Sequence, residues 1–202
     1  MMQKTTLIGE QLLRAVARFL VGVPRLVVSY VRQHPRKVID MCTDSNHAGR
    51  TQTRRGSTGT CFMIGEHWIK STSSTQTVIG LSSGGNEFYA LVKGTSSGRG
   101  LQVMARDVGA EFNLRVTVDA TAGKGIASRR CLGKIRHLRT PSLWAQKVYH
   151  ERRVELRRVP GPENPSDLGT TVLGAKEVWK TLTDSGFRAR QGRSELALRA
   201  AG

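Results

Sequence analysis

Acidic residues are scarce in this chain. Its 202 residues include 15 Asp+Glu against 32 Lys+Arg, a formal net charge of +17. A field of that sign attracts and steers polyanions, so nucleic acid is the expected partner. A structural protein of a ribonucleoprotein, an anionic membrane surface or mere solubilising charge are the plainer readings. Cysteine is scarce too. Cys42, Cys61 and Cys131 lie far apart with no C-x-x-C pair, which argues against a disulfide framework and reads as reduced core thiols. The five histidines, at 34, 47, 67, 137 and 150, show no zinc spacing. Long apolar runs are missing as well. "LLRAVARFLVGVPRLVVSYV" (12–31) is broken by Arg14, Arg18 and Arg25, too charged for a membrane span and without the unbroken core of a secretory signal. Its basic, acid-poor face has something of a mitochondrial presequence. Leu12, Leu13, Val16, Phe19 and Leu20 at helical spacing argue instead for a helix packed on another element. The expectation is a protein without a membrane partner, its compartment open between a cytoplasmic particle and the nucleus. No internal repeat is present.

What is there suits one globular domain with extensions: 38% hydrophobic and 23% charged residues. The first helix is expected to end near Gly22-Val23-Pro24, with a short extended piece at 25–33 and a boundary at "HPRK" (34–37). Strands follow in "VIDMCT" and "TGTCFMIGEHWIKST", which turns at Gly65-Glu66. A Ser/Thr-rich third strand leads to a helix cap at Ser82 or Ser83. Residues 84–108 read as a helix despite Gly94, Gly98 and Gly100, with Phe88, Leu91, Val92, Val103, Met104 and Val108 on one face. "NLRVTVD" (113–119) is a period-two strand with Leu114, Val116 and Val118 on one side. A short basic helix at 123–131, an amphipathic one at 142–153 and a strand at 154–161 come next. A last helix runs over 164–172, with Asn164 or Ser166 as cap and Pro165 at its first position. From about Gly186 onward no core partner is evident. The order predicts an α/β fold, a mixed sheet flanked by helices. The division is 1–35, 36–182 and a basic tail at 183–202.

Four of the few acids fall at element ends that such a fold brings together: Asp44, Glu87, Asp119 and Asp167. Converging carboxylates repel one another, and bound divalent cations remove that cost. Two-metal phosphodiester hydrolysis calls for this arrangement, with ions about 3.5–4 Å apart. Oxygen ligands favour Mg²⁺ or Mn²⁺ over zinc. Each acid also has an ordinary reading, as a turn residue or a charge favoured near a helix N-terminus.

The motifs add a resemblance. "TDSNHAGRTQTRRGSTGTCFMIG", "LSSGGNEFYAL", "VDATAG", "IRHL" and "RRVPGPENPSDLGTT" resemble, in order and with compatible gaps over about residues 36–180, the ribonuclease H domain of copia-type retrotransposon pol polyproteins. Residues 7–31 resemble the end of the reverse transcriptase region that precedes it. The resemblance implies a ribonuclease H-like fold with a mixed five-stranded sheet, preceded here by a short N-terminal helix. It further implies hydrolysis of the RNA strand of RNA–DNA hybrids by two Mg²⁺ or Mn²⁺ ions, and work alongside the reverse transcriptase portion of the same polyprotein. The family's metal-binding carboxylates fall on Asp44, Glu87, Asp119 and Asp167. Its second aspartate is Asn46 here, its tryptophan His47, and its T-E-A before the catalytic glutamate is Gly84-Gly85-Asn86. No histidine stands in 157–166, where some cellular ribonucleases H carry one.

The basic residues following the two catalytic strands are candidate phosphate contacts: Arg54 and Arg55, with Arg50, then Lys124, Arg129, Arg130, Lys134 and Arg136. They would position a hybrid duplex without reading its sequence. Ser57, Thr58 and Ser73 are candidate neutral contacts. The other reading is a catalytically inactive ribonuclease H-like nucleic-acid-binding module from a decayed or domesticated element.

Overall fold

The computed structural model describes residues 7–47, 53–119, 125, 127–129 and 143–192. A helix, α1 (Leu7–Gly22), precedes a short strand, β1 (Arg25–Val28). Three strands follow: β2 (Val38–Asn46), β3 (Ser57–Ile64) and β4 (His67–Thr75). Next come the long helix α2 (Ser83–Asp107) and β5 (Asn113–Val118). After 143 the chain forms α3 (Trp144–His150), β6 (Glu155–Arg158), two 3₁₀ turns (Gly161–Glu163 and Pro165–Gly169), α4 (Ala175–Asp184) and β7 (Phe187–Arg190). The basic helix expected at 123–131 falls mostly outside the described residues. No described helix is long and apolar enough to cross a membrane.

The main sheet has the order β4-β3-β2-β5-β6. β3 runs antiparallel to both its neighbours, while β5 and β6 run parallel to β2. This is the mixed five-stranded sheet that the resemblance implies. The β3–β4 hairpin turns through Gly65, whose φ of +62° suits a residue without Cβ.

Alternation along the strands creates two faces. Ile39 and Met41 on β2, Phe62 on β3, and Leu114, Val116 and Val118 on β5 join Phe88 and Leu91 of α2 and Ala145 of α3 in the larger core. Burying a large side chain of this kind contributes roughly 1.5–3 kcal/mol. On the other face Cys42, Cys61 and Trp68 form a smaller core with Met63, Leu168 and Phe187.

α2 starts where expected, with the Ser82 side chain accepting from the Gly85 N–H. Gly94 and Gly98 have a packing reason, whereas a Cβ at Gly100 would meet nothing within 4 Å. A Cβ at Gly94 would lie 2.7 Å from the Met41 side chain, and one at Gly98 2.8 Å from Leu114. The helix therefore sits down on β2 and β5 at these points, which offsets the helical penalty of glycine, about 1 kcal/mol each. The expected apolar face holds only for its first half. Val103, Met104 and Val108 are exposed, and Gly94, Thr95, Gly98 and Gln102 are the residues turned inward.

The ends of the chain differ from the sequence reading. The helix expected at 164–172 is a 3₁₀ turn over Pro165–Gly169, followed by α4. The stretch after Gly186, which has no evident core partner in the sequence, finds one. β7 pairs antiparallel with β1, and Phe187 meets Trp68 edge-on at 5.5 Å. The apolar face of α1 is largely exposed, with Leu12, Leu13, Val16 and Leu20 open to solvent and Phe19 near Trp179 of α4.

Candidate metal centre

Strand pairing alone brings two carboxylates together. In the parallel β2–β5 register Thr43 stands opposite Val118, so Asp44 and Asp119 follow at the carboxyl ends of neighbouring strands. The chain departs from β2 to β3 and β4 on one side and returns with β5 and β6 on the other. The β2–β5 border is thus the topological switch point, where open sheets place their ligands.

Asp167 arrives from a different part of the chain, on the Pro165–Gly169 turn. The turn begins as the sequence predicts, with Asn164 as cap, its side chain accepting from the Ser166 N–H, and Pro165 at the first position. Buried Asn164 also donates Nδ2 to the Thr43 carbonyl at 3.3 Å, fastening the turn beside the end of β2. Two glycines let turn and sheet meet backbone to backbone. A Cβ on Gly59 would lie 2.4 Å from the Ser166 carbonyl oxygen, and one on Gly169 would lie 3.1 Å from Gly59 Cα. Ser73 donates to the Gly169 carbonyl at 2.5 Å. Just past the turn, the Thr170 hydroxyl donates to Asp44 Oδ2, and Asn46 Nδ2 donates to the Thr170 carbonyl at 3.1 Å.

One carboxylate oxygen from each of Asp44, Asp119 and Asp167 lies within 4.8 Å of the others, and all three residues are partly buried. Among the described residues no ion pair is made to Asp44 or Asp167, although the chain is strongly basic. The Asp167 carboxyl is pushed up to about 7, first by burial and then by the charges of Asp44 and Asp119. Three hard oxygen donors, converging and mutually repelling, fit a divalent cation of the Mg²⁺ or Mn²⁺ type.

Glu87 is not one of these three. It lies on the second turn of α2 and accepts from the Ser83 hydroxyl at 3.1 Å. Asn46 and His47, where the sequence departs from the motif it resembles, have structural partners instead. Asn46 holds Thr170, and His47 Nδ1 lies 2.8 Å from Nδ2 of the fully buried Asn86. Asn46, Asn164 and Thr170 were not among the sequence-based site residues. Of these, only Asn164 carries a sequence signal, its cap position before Pro165.

Arg54 and Arg55 are exposed in the β2–β3 connection, and Arg129 is exposed as well. Lys124, Arg130, Lys134 and Arg136, with Arg50, lie outside the described residues. Thr58 is a buried acceptor for Gln76, and exposed Ser73 donates to the Gly169 carbonyl. Cys42 borders the site, but burial, then Asp40 and Asp167, push its thiol up to about 12, so it is no nucleophile at neutral pH.

No protein-family model and no curated protein matches the chain. Solved structures similar to it include a ribonuclease H1 isolated from compost by a metagenomic approach, 16% identical with a TM-score of 0.46, covering 72% of this chain and 99% of that one. The N-terminal ribonuclease H domain of a Mycobacterium tuberculosis protein, fused to maltose-binding protein, is 14% identical with a TM-score of 0.45, covering 73% and 98%. Ribonuclease H1 from the halophilic archaeon Halobacterium salinarum is 14% identical with a TM-score of 0.43, covering 66% and 94%.

Proposed function

We propose that the chain is a metal-dependent endonuclease that hydrolyses the RNA strand of RNA–DNA hybrids, the ribonuclease H portion of a copia-type retrotransposon polyprotein. One observation carries the hydrolytic reading. Asp44, Asp119 and Asp167, from three separate elements, converge within 4.8 Å at the switch point of the sheet. Asp44 and Asp119 would hold both ions and Asp167 one of them, with Glu87 serving the other from the neighbouring helix. When bound, such ions neutralise the carboxylates, acidify water and stabilise a leaving oxygen. The protein's part is to hold its ligands in place. Thr170 restrains the Asp44 carboxylate, Asn164 fixes the turn under Asp167, and Arg158 Nε donates to the Asp119 carbonyl at 3.3 Å. Arg54, Arg55 and Arg129, together with Lys124, Arg130, Lys134 and Arg136, would grip hybrid phosphates.

Residues 1–35 are read as the end of a preceding reverse transcriptase region, residues 36–182 as the nuclease domain and residues 183–202 as a basic extension. The pairing of β1 with β7 joins the two extensions to each other.

A second reading is a module that binds hybrid without cutting it, since Glu87 is not one of the three carboxylates that lie within 4.8 Å of one another. Incubating a labelled hybrid with the protein in Mg²⁺, Mn²⁺ or EDTA separates the two. The proposal requires cleavage that needs the metal and vanishes in Asp44→Asn and Asp119→Asn while binding persists. Hybrid that is bound but never cut would overturn it.

A further inference from the structure

The opposite end of the same strand pair holds a second charged feature. Asn113 N–H bonds to the Lys37 carbonyl at 2.7 Å, so β2 and β5 begin together beside Lys37. A cleft of about 720 Å³ opens there, lined by Lys37, Arg99, Arg106 and Arg153 with a single acid, Glu111. The cations come from separate places in the chain: Lys37 ahead of β2, Arg99 and Arg106 on α2, and Arg153 after α3. Part of the lining is held in place. Gln102 is 8% exposed, accepts from the Arg99 guanidinium at 3.1 Å and donates to the Phe112 carbonyl at 2.7 Å. This buried amide fixes one guanidinium and ties α2 to the segment that enters β5. Arg153 is shared with Glu151 at 2.8 Å, while Lys37 and Arg106 are exposed and make no ion pair among the described residues.

We infer that this cleft is a second, non-catalytic site for the phosphodiester backbone of nucleic acid. Four cations line the cleft, and among the described residues only Arg153 is paired, with Glu151; the remaining positive field is focused by the cleft walls and suits a polyanion. The opening is several times larger than one phosphate, which suits a tracked backbone better than a small anion. Seven residues of extended chain separate Lys37 from Asp44, or about 23 Å at the rise of a strand. Nucleic acid held in the cleft therefore leaves the carboxylate end free. The inference does not depend on hydrolysis.

The test uses the full chain in EDTA, so that nothing is cut, with a fluorescein-labelled single-stranded oligonucleotide followed by anisotropy across a salt series. Lys37→Glu with Arg106→Glu alters two exposed side chains. Lys176→Glu with Lys180→Glu on exposed α4 changes the net charge equally and serves as the control. The cleft variant should weaken binding about tenfold and make the plot of log K against log salt shallower by about 1.5, the share of two lost phosphate contacts. The α4 variant should stay within about twofold of the parent protein. Melting by circular dichroism shows that both variants are folded. Equal losses in the two variants, or binding by the cleft variant within about twofold of the parent, would overturn the inference. So would a cleft variant that keeps its oligonucleotide affinity but loses binding to phosphatidylserine vesicles, which would assign the cleft to a lipid surface.

Discussion

The two ends of the β2–β5 strand pair carry opposite charge, and they are held by different means. At the carboxyl ends, three aspartates share a space within 4.8 Å, with polar side chains from distant segments anchoring the turn that supplies the third. At the amino ends, cations line an open cleft in which one of them is braced by a buried glutamine. Like charges oppose each other at both ends. The difference is degree of enclosure: the aspartates are close and partly buried, so their repulsion is felt strongly and suits compact divalent ions. The cations are more spread and more exposed, which suits a long polyanion. In a chain of net charge +17, the acidic end is the exception that needs a specific explanation.

The contrast is broken most severely by removing one charge at the acidic end. Asp119→Asn should lower hybrid cleavage by about 10²–10³-fold or more, read from single-turnover rates, while affinity for hybrid in EDTA is kept. Loss of binding along with cleavage would instead point to a folding defect.

Gly59→Ala attacks the same end through packing. The new Cβ would fall 2.4 Å from the Ser166 carbonyl, so the turn carrying Asp167 must shift. Urea denaturation should show a loss of about 1–3 kcal/mol, and metal affinity should fall with it.

A pH series sharpens the comparison. The Asp167 carboxyl lies at about 7 when folded against an ordinary value of 3.8. Between those values the folded state holds the proton that the unfolded state releases, so stability in EDTA should fall as pH rises through this window and level off above it. Asp167→Asn should flatten that slope. Mg²⁺ or Mn²⁺ should stabilise the protein more as pH rises through the same range, with protons released on binding.

The smallest effect is expected from Thr170→Val, which removes the hydroxyl that donates to Asp44. Stability should change by about 1 kcal/mol, and the metal concentration needed for half-maximal cleavage should rise a few-fold while binding at the opposite cleft is unaffected.

Much of the acidic end was legible in the sequence because its signals are local. Period-two alternation in "NLRVTVD" fixes the facing of β5, and Asn164-Pro165 announces the turn that bears Asp167. What stayed hidden depends on contacts across long stretches of chain. Thr170 reaches Asp44 across 126 residues. β7 finds β1 from the other end of the chain, with only Phe187 as an apolar clue. The helical period in α2 also overreached, because the helix outruns its sheet and exposes Val103, Met104 and Val108. Charge composition points toward polyanions, but no sequence pattern gathers Lys37, Arg99, Arg106 and Arg153 around one cleft.

The most direct measurement is anomalous diffraction from crystals of the protein grown with Mn²⁺. The account predicts a peak among Asp44, Asp119 and Asp167, at about 2.0–2.2 Å from their oxygens, that disappears in Asp119→Asn. Manganese bound only elsewhere, with the three carboxylates uncoordinated, would contradict it.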